Sequence, residues 1–193
     1  MKHHIKLSIY LLLTVLLVTF LFTSCINLSN DELDSENPDL YLKNATLGGV
    51  IEYSLNADAT GYIVTSYKGN DLYIAIPRVY NDLPVVGVSE NAFYRVPVRT
   101  IIFPDSIQSI SYGAVYSCKS IENVVFSANT QYSQTAVREC YPKNVYYKGG
   151  EVDWNVKKYS EEFYLQYAKV YFYSSTNLAG CWHYNKEGRI DIW

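Results

Sequence analysis

Four cysteines and three histidines are the side chains of this 193-residue sequence with obvious nucleophilic or metal-binding chemistry. A thiol nucleophile needs a base within hydrogen-bond reach, and the base needs a third group to orient it. Cys140 with His183, and Asp191 as the orienting acid, could form such a set on paper, and Cys181 with His183 is a second candidate pair, but no local pattern supports either. Cys181 and His183 are separated only by Trp182. Structural zinc takes C-x2-C or H-x3-H pairs, and neither occurs, so a terminal segment without chemistry is the better reading of Cys181. Glu161 and Glu162 lie beside Lys157 and Lys158 and read as a solvated helix face rather than a glycosidase pair. There is no G-x-S-x-G, no P-loop and no G-x-G-x-x-G. No catalytic residue, metal or cofactor is expected.

What remains is recognition by a surface. The candidates are Thr100, Ile102, Asn123, Val125, Asn144 and Tyr146. They fall on alternate positions of three short apolar segments, where period two sends them outward while their neighbours point in. Stacked side by side, Ala75, Ile102, Val125 and Tyr146 make an apolar row flanked by Thr100, Asn123 and Asn144. A contiguous apolar stripe can mark a binding site. It is also what β-propensity produces under a cap or linker.

The elements that must position these residues are repeats. Ile74-Ala75-Ile76-Pro77, Ile101-Ile102-Phe103-Pro104, Val124-Val125-Phe126-Ser127 and Val145-Tyr146-Tyr147-Lys148 recur at 27, 23 and 21 residues. The first interval is longer because Tyr80-Asn81-Asp82-Leu83-Pro84 inserts a turn. Between them, Val88-Ser89-Glu90-Asn91-Ala92-Phe93-Tyr94 answers to Ile110-Ser111-Tyr112-Gly113-Ala114-Val115-Tyr116. A period near 23 is the coil of a solenoid: each coil has a strand and a return, and neither buries its apolar face alone. Stacking puts equivalent strands about 4.8 Å apart in a parallel sheet. Ile74/Ile76, Ile101/Phe103, Val124/Phe126 and Val145/Tyr147 should then point inward, with Ala92 and Ala114 in tight returns and Phe93 and Val115 filling the interior.

Upstream, Ile51, Tyr53 and Leu55 alternate before a turn at Asn56–Gly61, and Tyr62, Val64 and Ser66 follow before Lys68-Gly69-Asn70-Asp71. This predicts hairpins over residues 47–73, an N-terminal cap. Residues 74–148 are the repeats. Over 149–193, Val152, Val156, Tyr159, Phe163 and Tyr167 recur at helical spacing and Lys169–Tyr173 alternates as a strand, which predicts a C-terminal cap. The fold class is a β-rich solenoid with a parallel sheet, an N-terminal β-hairpin cap and a mixed α/β C-terminal cap.

The pattern I-x-I-P, then V-x-x-V-S-x-x-A-F, then V-x-x-I-x-F-P, carried by residues 74–77, 85–93 and 98–104, resembles the BspA-type leucine-rich repeat of bacterial surface proteins. Gly61–Thr65 and Leu83-Pro84-Val85-Val86 look like that family's lead-in. Trp154-Asn155 and Trp182-His183-Tyr184…Trp193 look like its endings. Leu is nearly absent from the repeats, and Ala136-Val137-Arg138-Glu139-Cys140 matches the Ala-Phe signature only loosely. The resemblance implies a buried Cys118 and adhesion to, or interaction with, host or neighbouring-cell proteins. A carbohydrate or cell-wall glycan ligand held by exposed aromatics is the alternative.

Residues 1–24 explain the location. Lys2 and Lys6 precede the apolar run Leu7–Phe22, and Thr23-Ser24-Cys25 follows. This reads as a secretory signal whose Cys25 resembles a lipobox cysteine, acylated at a new N-terminus on the extracellular face of a bacterial membrane. A run of sixteen residues, broken by Ser8, Thr14 and Thr19, is short of the roughly 20 that span a bilayer, which weighs against an uncleaved anchor. Residues 25–46, with Asp31, Glu32, Asp34, Glu36 and Asp39, read as an acidic spacer, since the regular ligand spacing of a calcium loop is missing. Cleavage takes away two lysines and no acid, so the net charge moves from −3 to −5. An acidic chain is a poor partner for nucleic acid. Three cysteines would remain, enough for one disulfide. Of the 20 tyrosines, 19 lie beyond the signal, many where a thin solenoid can bury a ring and leave its hydroxyl wet.

Overall fold

The structure, a computed structural model, describes residues 48–132, 135–157, 164–186 and 188–193. Cys25, the signal and the acidic spacer lie outside these residues, as do Tyr159, Glu161, Glu162 and Phe163.

The chain enters through β1 (Val50–Leu55), which turns back antiparallel into β2 (Tyr62–Lys68). The Asn56 side chain closes this turn by accepting from the Thr60 and Gly61 N–H groups, as short polar side chains do in loops. A second hairpin at Lys68–Asp71 is not formed. β2 already pairs parallel with a later strand, and the chain passes instead to β3 (Tyr73–Ala75) in a different sheet. Alternation alone does not distinguish a hairpin strand from the first rung of a coil. β4 (Val79–Tyr80) and β5 (Leu83–Val88) form the inserted turn. Asn81 and Asp82 both have positive φ, 45° and 64°, the requirement of a tight two-residue hairpin loop.

From β5 the coils run regularly. β6 (Phe93–Tyr94) and β7 (Thr100–Ile102) complete one. β8 (Ser109–Ile110), β9 (Val115–Tyr116) and β10 (Asn123–Phe126) form the next, and β11 (Gln131–Tyr132), β12 (Val137–Arg138) and β13 (Asn144–Tyr147) the third. Equivalent strands pair parallel, so the coils have three sides: β2-β5-β8-β11, β6-β9-β12 and β3-β7-β10-β13. Among the described residues the structure is a β-solenoid with almost no helix. In the broad sheet Ile74, Ile101, Val124 and Val145 stand in one register and are fully buried. Ile76, Phe103, Phe126 and Tyr147 line the same interior, with Phe103 and Phe126 stacked at 5.4 Å. Ala136 and Val137 occupy the places of Ala92/Phe93 and Ala114/Val115, so the third repeat keeps the geometry of its degenerate motif.

Each narrow strand ends at a corner. Arg95, Ser117 and Glu139, spaced at 22 residues, all adopt φ near +50°. An L-residue there is strained. Asn91 and Gly113 mark the preceding corner, also left-handed, where glycine and asparagine are the tolerant residues.

Beyond β13 comes α1 (Glu151–Lys157), then β14 (Lys169–Phe172). α1 buries Trp154, packed on the Tyr147 ring at 5.2 Å, while Val152 is exposed. β14 differs from the expected cap strand: it pairs parallel with β13 as a fifth rung of the broad sheet. The chain closes with β15 (Trp182–Tyr184) and β16 (Ile190–Ile192), an antiparallel hairpin.

At the opposite end, Asp71 ties the start of the described chain to the first coil. Its carboxylate accepts the Gly48 and Gly49 N–H groups at 3.0 and 2.8 Å and the Tyr67 hydroxyl. The hydroxyl first, and the two N–H groups next, hold Asp71 below the usual carboxylate range. A depressed folded pKa contributes stability above the unfolded value near 4, lost as pH falls through the folded value. Asp71→Asn should therefore lower Tm by a few degrees at pH 7, with the gap to wild type closing in melts below pH 3.

Candidate functional site

The outward side of the broad sheet is where the sequence places its candidates. Thr100, Asn123 and Asn144 stand in register across β7, β10 and β13. They satisfy one another: the Asn123 amide donates to the Thr100 hydroxyl at 3.1 Å, and the Asn144 amide donates to the Asn123 carbonyl oxygen at 2.9 Å. Ile102 and Val125 point outward as period two requires, but they are 7% and 1% exposed. The open apolar row is therefore absent, and of the two readings the sequence leaves open, an exposed stripe or cover by a terminal segment, the structure has the second. The β15–β16 hairpin lies over the row. Ala75, Ile102 and Val125 form one cluster with Trp182 and Tyr184, flanked by Tyr73, Tyr146, Tyr171, Tyr173 and Ile190. The physical reason is that a two-sided apolar sheet exposes too much surface and recruits cover from its own chain.

Trp182 is the centre of that cover. It is fully buried, its Nε1 donates to the Tyr147 carbonyl at 3.1 Å, and Tyr146, Tyr173 and Tyr184 meet it edge-on. Tyr146 stacks on Tyr171 at 5.3 Å, and burial followed by its neighbour Tyr171 pushes its hydroxyl pKa up. At the hairpin's edge the Lys148 ammonium pairs with Asp105 at 2.7 Å and faces the Tyr173 and Tyr184 rings.

The possible nucleophiles sit elsewhere. Cys118 and Cys140 occupy equivalent positions inside the coils, both fully buried. The Cys118 N–H donates to the Cys140 sulfur at 3.2 Å. Hydrogen bonding with Cys118, then burial, drives the Cys140 thiol well above its ordinary range, the reverse of what a nucleophile needs. Cys181 is buried at the start of the hairpin, and among the described residues neither it nor the other two cysteines forms a disulfide. His183 stacks on Trp193 at 3.6 Å with its Nδ1 2.9 Å from the Tyr184 carbonyl oxygen. Among the described residues no group of three His, Cys, Asp or Glu side chains could hold a metal ion.

A different row reaches the surface on the narrow sheet, with Tyr94 exposed and Tyr116 and Arg138 half-buried. Phe93, Val115 and Val137 point inward, so Tyr94, Tyr116 and Arg138 point outward in register. The Tyr94 and Tyr116 rings lie 5.3 Å apart, tilted by 36°. The Arg95 guanidinium sits 5.0 Å from the Tyr94 ring centre, and that of Arg138 lies 5.0 Å from Tyr112 and 5.3 Å from Tyr116. The Tyr116 hydroxyl donates to Glu139 at 3.1 Å, which raises its pKa. The sequence did carry a signal for this row: tyrosine recurs immediately after two equivalent inward residues.

The family described as BspA type Leucine rich repeat region matches residues 81–151, in 6 copies. Among solved structures, a leucine rich cell surface protein from Faecalibacterium prausnitzii A2-165 is similar at 23% identity over 53% of this chain and 31% of its own, with a TM-score of 0.37. A leucine rich repeat protein from T. pallidum is similar at 19% identity over 49% of this chain and 67% of its own, with a TM-score of 0.32. This chain thus spans about a third of the first of these proteins. No curated protein matches it.

Proposed function

From the premise that residues 81–151 are a BspA-type leucine-rich repeat region, we propose a non-enzymatic cell-surface lipoprotein that binds a protein partner on the outside of its solenoid. The observation that carries this reading is the rigid stack of parallel strands, which presents side chains in fixed rows and so spends little conformational entropy on binding. The buried thiols and the stacked His183 support recognition over bond chemistry. The β1–β2 hairpin and the segment after β14 would close the two ends of the stack. Cys25 would carry the lipid and residues 25–46 the spacer. Asn123, Asn144 and Tyr146 would contribute at the rim of the hairpin, while Ile102, Val125 and the buried Thr100 would support it from beneath.

Probing arrays of extracellular proteins and of glycans with the full chain tests this reading. Protein hits are expected, and a response to glycans alone overturns it. Metabolic labelling with a palmitate analogue should mark the wild type and not Cys25→Ala; equal labelling excludes the lipid anchor.

A further inference from the structure

We propose that the row Tyr94–Tyr116–Arg138 on the narrow sheet, with Arg95 and Tyr112 beside it, is the docking surface, and that its occupant is an acidic segment of a protein. The inference rests on the protein-binding reading above and names the face and the partner's chemistry.

Three observations carry it. The first is exposure in register. Tyr94 is 47% exposed, Tyr116 and Arg138 are half-buried, and Tyr112 beside the row is 40% exposed; the parallel pairing of β6, β9 and β12 holds the row as one unit across three coils. The outward side of the broad sheet, by contrast, is covered by the chain itself.

The second is charge. The whole chain carries a net charge of −3, yet this row presents two guanidinium groups. Among the described residues no carboxylate lies within ion-pair distance of Arg95 or Arg138. The acid nearest in the row, Glu139, is engaged by the Tyr116 and Ser117 hydroxyls and by Lys119. Arg138 also touches the Tyr164 hydroxyl, a neutral partner. A guanidinium without a counter-ion presents a planar fork of donors suited to a carboxylate.

The third is the arrangement of rings and cations. A sugar ring stacks on an open aromatic face. Here Arg95 lies over Tyr94 and Arg138 lies between Tyr112 and Tyr116, so each ring already has a cation against a face, and the Tyr116 hydroxyl is engaged by Glu139. That disfavours a neutral glycan. Each arginine is also held by its ring before a partner arrives, which lowers the ordering cost of binding. Tyrosine and arginine are the residues enriched at protein–protein hot spots.

The test uses the full chain and a fluorescein-labelled glutamate–tyrosine copolymer, titrated by anisotropy, with heparin as the anionic-glycan arm. The copolymer should bind, less tightly as salt rises. Arg138→Gln and Tyr94→Ala should each weaken it by about tenfold, the scale of a hot-spot residue. Arg138→Lys, which keeps the charge and loses the fork, should fall between. Lys68→Gln, the same charge change on another sheet, should leave affinity within about twofold because its ion pair is exposed. Thermal melts of each variant report folding. Equal affinity in all variants, or no copolymer binding to wild type, overturns the proposal. Tighter binding of heparin with the same losses overturns the protein occupant. A protein hit on the arrays that survives Arg138→Gln and Tyr94→Ala keeps the proposed function and overturns this face.

Discussion

Replacing Trp182 with alanine should detach the β15–β16 hairpin and leave the solenoid standing. The indole is fully buried between three tyrosine rings, and its Nε1 hydrogen bond fixes it to the Tyr147 carbonyl. Truncating a buried tryptophan costs about 3–5 kcal/mol. That is a large share of the few kcal/mol that hold a small domain. The loss is local, because the hairpin meets the broad sheet on its outer side while the coil interior lies on the inner side. The expected result is early exchange of the β15 and β16 amides and binding of a hydrophobic dye to the uncovered Ala75–Ile102–Val125 row. Far-UV circular dichroism should keep its β signature. If exchange stays slow in the hairpin, Trp182 is not what seats it. If β7 and β10 exchange along with the hairpin, the two sides of the sheet are not separable.

Phe126→Ala should have the opposite character. Phe126 is in the middle of the stack, with Phe103 parallel to its ring in the coil before. Its truncation costs about 3–5 kcal/mol and opens a cavity in a tube only one coil wide. Repeat stability is close to a sum of coil terms and nearest-neighbour interfaces, so a central cavity weakens two interfaces at once. Thermal unfolding should shift down by several degrees and broaden into separate steps for the two halves. A single sharp transition at the wild-type temperature would show that neighbouring coils relax into the space.

These two sites differ in how far the sequence reveals them. Phe126 was legible because an inward position in a repeat is defined by comparison with its equivalents, and Phe103 and Tyr147 share its place. Trp182 was legible as part of an ending but not as a lid. Nothing in Trp182-His183-Tyr184 states which surface the hairpin will seek, since seating depends on contacts between residues far apart in the chain. Ile102 and Val125 mark the same boundary. Period two gave their direction correctly, and a direction says nothing about what covers the far side. β14 was read as an alternating strand, yet its membership of the broad sheet depends on a crossover whose length follows no repeat. Tyr94, Tyr116 and Arg138 were readable in principle, by extending the inward assignment of Phe93 and Val115 by one residue.

The even spacing of the corners at Arg95, Ser117 and Glu139 has an evolutionary consequence. Any stretch that starts at one corner and stops at the next begins and ends in the same conformation and on the same side of the stack. Duplicating that stretch within a gene would lengthen the rod by one coil without disturbing either end. Because Tyr94, Tyr116 and Arg138 sit one residue before those corners, each duplication would also add a rung to the exposed row. Reach and contact length would then grow together, through a single copying event.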